Sequence, residues 1–160
     1  MVDVTTIKPY TVFAWFMLMM VVRRIAMIFL IVITRARKPF QPGTRVPEDS
    51  KLVGAQVQPS TVDPGTIEFT KDVRVNKIIG NDTENDTYFL ILLLATAAFS
   101  DGNATRTIVY GAIYLFARIL YAVAYIMALQ PWRSVLFTVG LICTLACNLD
   151  LVITMSRRPN

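Results

Sequence analysis

The 160-residue chain is 54% hydrophobic and 17% charged, with a mean hydropathy of +0.51, a composition outside the ordinary range of a water-soluble domain. Its net charge of +5 would suit a nucleic-acid partner, but the basic residues flank apolar segments and lie beside no base-stacking surface, which sets that class aside. The chain has no histidine, so every mechanism that needs an imidazole base is excluded.

A hydrocarbon core about 30 Å thick needs roughly 20 helical residues to cross. Four stretches approach that length: residues 11–33, about 78–99, 107–129 and 134–155. They are too long and alternate too little to be barrel strands, so they predict an all-α fold, a single integral membrane domain of four helices over residues 1–160. The first segment has no basic start and is too long for the apolar region of a cleaved signal, so it reads as a membrane helix. Arg23 and Arg24 interrupt it, and a charge at bilayer depth requires a partner.

Between the first two segments lies the main aqueous loop, about 35–77, rich in Pro and Gly. It holds eight basic residues, among them Lys38 and Lys77, and the third connection adds Arg133. The opposite side has only Lys8, Arg106, Arg157 and Arg158. Positive charge favours the cytoplasm, which places both termini on the lumenal or external side.

The uninterrupted apolar part of the second segment, 88–99, is too short to span, so its helix extends back through the polar run 81–87. Asn81, Glu84, Asn85 and Tyr88 then share one face at the cytoplasmic membrane edge. As a solvated helix start this run needs only capping and dipole effects; as a site it offers an acceptor and donors. The second connection contains the sequon Asn103-Ala104-Thr105, close to the membrane. In the third segment Arg118 shares a face with Tyr121 and Tyr125, a polar stripe that either seals the bundle or lines a pocket.

Gln130-Pro131-Trp132-Arg133-Ser134 makes a tight hairpin to the fourth segment, and Arg133 beside unpaired helix N-terminal N–H groups would attract an anion. Cys143 and Cys147, one helical turn apart, read as packing residues with no metal site. Asp150, like Arg23 and Arg24, reads as an ion-pair partner that fixes helix order.

Several of these features together resemble the family of membrane-associated proteins in eicosanoid and glutathione metabolism, most closely its microsomal glutathione transferase 1 branch. The matching residues run in order along nearly the whole chain: Met1-Val2-Asp3, Pro47-Glu48-Asp49, Asn81-Asp82-Thr83-Glu84-Asn85, Ala117-Arg118-Ile119, Ala124-Tyr125 and Pro131-Trp132-Arg133. The resemblance implies a homotrimer of four-helix subunits that binds glutathione between neighbours near the cytoplasmic face, with no metal. It implies that Lys38, Lys77, Glu84 and Tyr125 hold glutathione, that Asn81 and Arg118 support the site, and that Arg133 is catalytic and faces the sulfur. The implied activity is conjugation of glutathione to lipophilic electrophiles or reduction of lipid hydroperoxides, in the endoplasmic reticulum or mitochondrial outer membrane.

Some positions depart from the family pattern. Where it carries Arg-Arg-Ala-His, this chain reads Asn76-Lys77-Ile78-Ile79-Gly80, and the lysine usual in the first helix is Ala26. Lysine does not reproduce the bidentate grip of arginine, so weaker or altered glutathione binding is expected. Ser50 follows Pro47-Glu48-Asp49 where some members carry cysteine, so thiol modification there is not expected. The departures keep two other readings open: a glutathione-dependent eicosanoid synthase, and a non-catalytic membrane scaffold or lipid-binding relative.

Overall fold

A computed structural model describes residues 7–35, 71–99 and 103–157. They form four helices, α1 (Pro9–Arg35), α2 (Lys71–Ala98), α3 (Thr105–Ile126) and α4 (Trp132–Ser156). Helices α1, α3 and α4 are each long and apolar enough to cross a bilayer. Helix α2 differs from the expected spanning segment. Its N-terminal half carries charges through Asp86, and only its second half is apolar.

It also begins seven residues earlier than its hydropathy suggested, so 71–77 is helix where loop was expected. The cause is packing. Val75 and Ile78 are wholly buried and join Met27, Tyr121 and Ala122 in an apolar cluster, which extends α2 below its polar run. A second cluster, with Phe16, Met20, Phe89, Leu93, Tyr114, Leu115 and Cys143, closes the other end of the bundle. Phe16 meets Leu93 in one cluster and Met27 meets Ile78 in the other, so α1 and α2 run antiparallel.

Helices α2 and α3 form the spine: α1 packs on both, α4 packs on both, and α1 and α4 flank them on opposite sides. Of the apolar window of α3, 44% is buried, against 17% for α1 and α4, many of whose Val, Ile and Leu side chains are exposed, as a lipid solvent allows. At Gly111 α1 packs closely on α3, because a Cβ there would lie 2.5 Å from the buried Phe16 ring. At Gly140 it would meet Arg118 at an ordinary 3.7 Å. Gly111→Val should therefore cost about 1–3 kcal/mol by overpacking, seen as a lower thermal unfolding midpoint in detergent. Gly140→Ala should leave that midpoint unchanged or raise it, since alanine is the better helix former.

The connections are set by local hydrogen bonds. Asn103 Oδ1 accepts from Thr105 N at 2.9 Å, which commits the sequon asparagine to the start of α3. At the other end of α3, Leu129 N donates to Ala124 O at 2.9 Å and Ala128 N to Tyr125 O at 3.2 Å, with Ala128 at φ 59°. This is a Schellman C-cap built on alanine instead of glycine, and it turns the chain sharply into α4. At the far ends of α3 and α4, Arg106 bonds Thr154 at 2.6 Å and pairs with Asp150 at 3.5 Å, an ion pair of the kind expected for that aspartate, with a partner that was not named.

Candidate functional site

Between the two apolar clusters lies a buried lattice of charge. Arg23 of α1 hydrogen-bonds Asp86 and lies 3.2 Å from Asp82, both on α2. Arg118 of α3, 2% exposed, is 3.8 Å from Asp86 and 3.9 Å from Asp82. Two arginines against two aspartates leave the interior neutral, the condition under which ions persist at bilayer depth. Tyr114 completes it. Its hydroxyl accepts from Arg118 Nε at 3.1 Å and donates to Asp86 Oδ1 at 3.0 Å, while its ring stacks on Phe89 with centroids 3.7 Å apart. Arg23 Nε and Nη1 and Asp82 Oδ1 are buried there without a hydrogen-bond partner among the described residues, Asp82 Oδ1 having Arg118 Nη1 at ion-pair distance only.

The lattice ends at Asn81, whose Oδ1 accepts from Arg118 Nη1 at 2.7 Å. Asn81 also lines a cleft of about 310 Å³, together with Tyr121, Tyr125, Arg133, Ser134, Phe137 and Thr138. The Arg133 guanidinium lies 4.7 Å from the centroid of the Tyr125 ring, a cation–π contact. With its amide oxygen turned toward that guanidinium, Gln130 accepts from Nε at 3.2 Å and Nη2 at 2.6 Å. Tyr125 is fixed in turn by an edge contact to Tyr121, centroids 5.7 Å apart. The cleft is thus aromatic on its walls, with a held cation and hydroxyl and amide groups at its rim.

One expected feature is corrected. The first N–H groups of α4 do not form an open anion site, because Arg133 N donates to Leu129 O at 3.1 Å and Ser134 N to Pro131 O at 2.9 Å. The tight hairpin folds its own carbonyls under the helix start. An anion here meets the Arg133 side chain and the Ser134 hydroxyl, and not the N–H groups of Arg133 and Ser134.

The residues singled out in the sequence are divided. Asn81, Tyr125 and Arg133 meet in the cleft, and Arg118 stands behind it, joined through Asn81. Glu84 and Lys77 are exposed on α2 and do not line the cleft, while Tyr88, 72% exposed, turns outward with Glu84. Lys38, Ser50 and Pro47-Glu48-Asp49 lie outside the described residues. Where the family's basic run was missing, Asn76 is exposed, Ile78 is wholly buried and Ile79 packs against the same cluster. Asp82 and Tyr114 were not singled out, although each is central to the lattice.

Cys143 and Cys147 are buried and free, with Sγ of Cys147 3.4 Å from Thr96 Oγ1. Among the described residues, no group of three or more His, Cys, Asp or Glu could hold a metal ion.

One family model, that of the MAPEG family, matches residues 9–150. No curated protein and no solved structure shows significant similarity to the chain.

Proposed function

The chain belongs to the MAPEG family, whose members include glutathione transferases and eicosanoid synthases, and on that premise we propose that it is a membrane glutathione transferase of the microsomal type, with peroxidase capacity. The observation that carries this reading is Arg133, a half-buried cation held by Tyr125 and Gln130 on a cleft that also exposes Asn81 and Ser134. Glutathione presents two carboxylates, an ammonium and a thiol. A thiol with a pKa of about 8.5 is only a few per cent ionised at neutral pH, and the thiolate is the nucleophile. A guanidinium facing the sulfur, aided by the Ser134 hydroxyl, favours the anion. Lowering the thiol pKa by about 2 units requires about 2.7 kcal/mol, within reach of one cation and one hydrogen bond in a partly dry cleft.

The thiolate then attacks an electrophilic carbon that arrives from the bilayer. With a chloronitrobenzene, the carbon–sulfur bond forms, the carbon–chlorine bond breaks and chloride leaves. With a lipid hydroperoxide, two glutathione molecules supply the electrons, giving the lipid alcohol, water and glutathione disulfide. Tyr121 and Phe137 offer the apolar wall against which such a substrate lies.

The functional unit is a homotrimer. In a single chain Glu84 and Tyr88 form a partly polar face of α2 turned away from its own bundle, and among the described residues no carboxylate lines the cleft to pair with the glutathione ammonium. A neighbouring subunit packed on that face would bring Glu84 and Lys77 to its Arg133 cleft. Crosslinking in mild detergent should give a trimer as the largest discrete product, and a monomer at every crosslinker concentration would remove the intersubunit site. The activity itself is tested by conjugation of a chloronitrobenzene with purified protein. Turnover that depends on glutathione and falls in Arg133→Ala supports the reading; equal inactivity of both proteins, with no glutathione bound, defeats it.

A further inference from the structure

The first helix contributes no side chain to the cleft, yet a continuous chain of polar contacts leads from it to the cleft wall. Arg23 holds Asp86, Asp86 Oδ1 accepts from the Tyr114 hydroxyl at 3.0 Å, that hydroxyl accepts from Arg118 Nε at 3.1 Å, and Arg118 Nη1 donates to Asn81 Oδ1 at 2.7 Å. Each donor and acceptor in the chain has one workable direction. A guanidinium can only donate, so Arg118 can bond the Asn81 amide only through its oxygen. The Asn81 nitrogen is therefore left as a donor on a residue that lines the cleft.

An amide held from behind cannot flip to present its oxygen instead. Arg118 is itself immobilised by the Tyr114, Tyr121 and Phe137 rings, whose centroids lie 5.2, 5.7 and 5.7 Å from its guanidinium carbon.

We propose that Tyr114, with Asp86 and Arg23 behind it, is a positioning residue: through Arg118 it locks the Asn81 amide with its nitrogen facing the cleft, as a donor to a carboxylate of glutathione. This rests on the glutathione reading above. The lattice sets the affinity and orientation of the anionic co-substrate, and Arg133, which shares no hydrogen bond with it, sets the ionisation of the thiol. The two functions are separable by measurement.

Tyr114→Phe removes one oxygen and keeps the ring on Phe89, so it is the cleanest test; Arg23→Met tests the remote end of the chain and carries a greater risk of unfolding. For wild type and Tyr114→Phe, glutathione binding by calorimetry, KM and kcat for conjugation of a chloronitrobenzene, and the pH profile of kcat are compared in matched detergent, with folding checked by thermal unfolding. The expected result is a rise in Kd and KM for glutathione of about tenfold, as the two hydrogen bonds that the hydroxyl makes to Arg118 and Asp86 are lost, with kcat within about twofold and the pH profile unmoved. A folded Tyr114→Phe protein with wild-type Kd and KM overturns the positioning role and leaves the transferase reading intact. A fall in kcat at unchanged KM overturns it as well. Wild-type protein that neither binds nor consumes glutathione overturns the transferase reading and this inference together.

Discussion

Arg118→Met should lower the stability of the bundle by about 3–5 kcal/mol, because it leaves Asp82 and Asp86 buried with Arg23 as their single cation. The same change strips a donor from Asn81 and from Tyr114, both within the low-dielectric interior. Equilibrium unfolding in detergent micelles is the measurement. Arg106→Ala is the control: its pairing with Asp150 is between side chains 47% and 27% exposed, so its loss should cost no more than about 1 kcal/mol.

Adding Asp86→Asn to Arg118→Met restores neutrality and should recover part of the loss, a coupling of about 0.5–3 kcal/mol for residues in one network. If Arg118→Met and Arg106→Ala unfolded at the same denaturant concentration, the lattice would not be what holds α1 and α3 to α2.

Arg133→Ala should leave the fold intact and reduce turnover in a pH-dependent way. If the bound thiol has a pKa about 2 units below its usual 8.5, then near pH 6.5 roughly half of it is ionised in wild type and roughly one part in a hundred in the variant. That ratio, about fifty, is not fully realised. A less basic thiolate is a weaker nucleophile, with a Brønsted coefficient of about 0.4–0.5, which offsets the gain by a factor of about eight. The net loss from ionisation alone is thus about five- to tenfold near pH 6.5, enlarged by whatever orientation the guanidinium gives the sulfur.

The sign follows from the same argument. Turnover in wild type should level off as pH rises past about 7, whereas turnover in the variant should keep rising until about pH 9, so that on ionisation alone the two cross between about pH 7.5 and 8, the variant's more basic thiolate being the stronger nucleophile. Arg133→Lys should fall between them, since it retains the charge and loses the planar contact with Tyr125.

Three of the four helices were legible from hydropathy, because in α1, α3 and α4 an apolar run of spanning length leaves little else to form. Helix α2 was legible in kind but not in extent. Its polar residues draw attention to the face of Asn81, Glu84, Asn85 and Tyr88, whereas the face that packs is Val75, Ile78, Asp82, Phe89, Leu93 and Thr96. Those positions recur at spacings of three, four and seven, so tracing the stripe backward from Leu93 would have placed Asp82 inside the bundle, with Asp86 beside it. The signal was present and was masked by composition.

In the site, the two readings left open for Arg118 both describe part of the structure. Arg118 itself seals the bundle, and the tyrosines that share its face, Tyr121 and Tyr125, line the cleft. No pattern in α1 pointed to Asp86 as the partner of Arg23, because an ion pair across two helices depends on their relative register, which one-dimensional periodicity does not carry. The occupied N–H groups at the start of α4 were hidden for a similar reason: the Schellman turn at Ala128 stands on an alanine, where glycine would have announced it.

The central claim is that Arg133 ionises the thiol of glutathione, and the ultraviolet absorbance of the thiolate tests it without any second substrate. Wild-type protein titrated with glutathione near pH 7 should develop the thiolate band to about one equivalent per occupied site, while Arg133→Ala, at concentrations that saturate it, should show the band only above about pH 8. A band of equal strength in both proteins at neutral pH, or none in wild type with glutathione bound, would contradict the account.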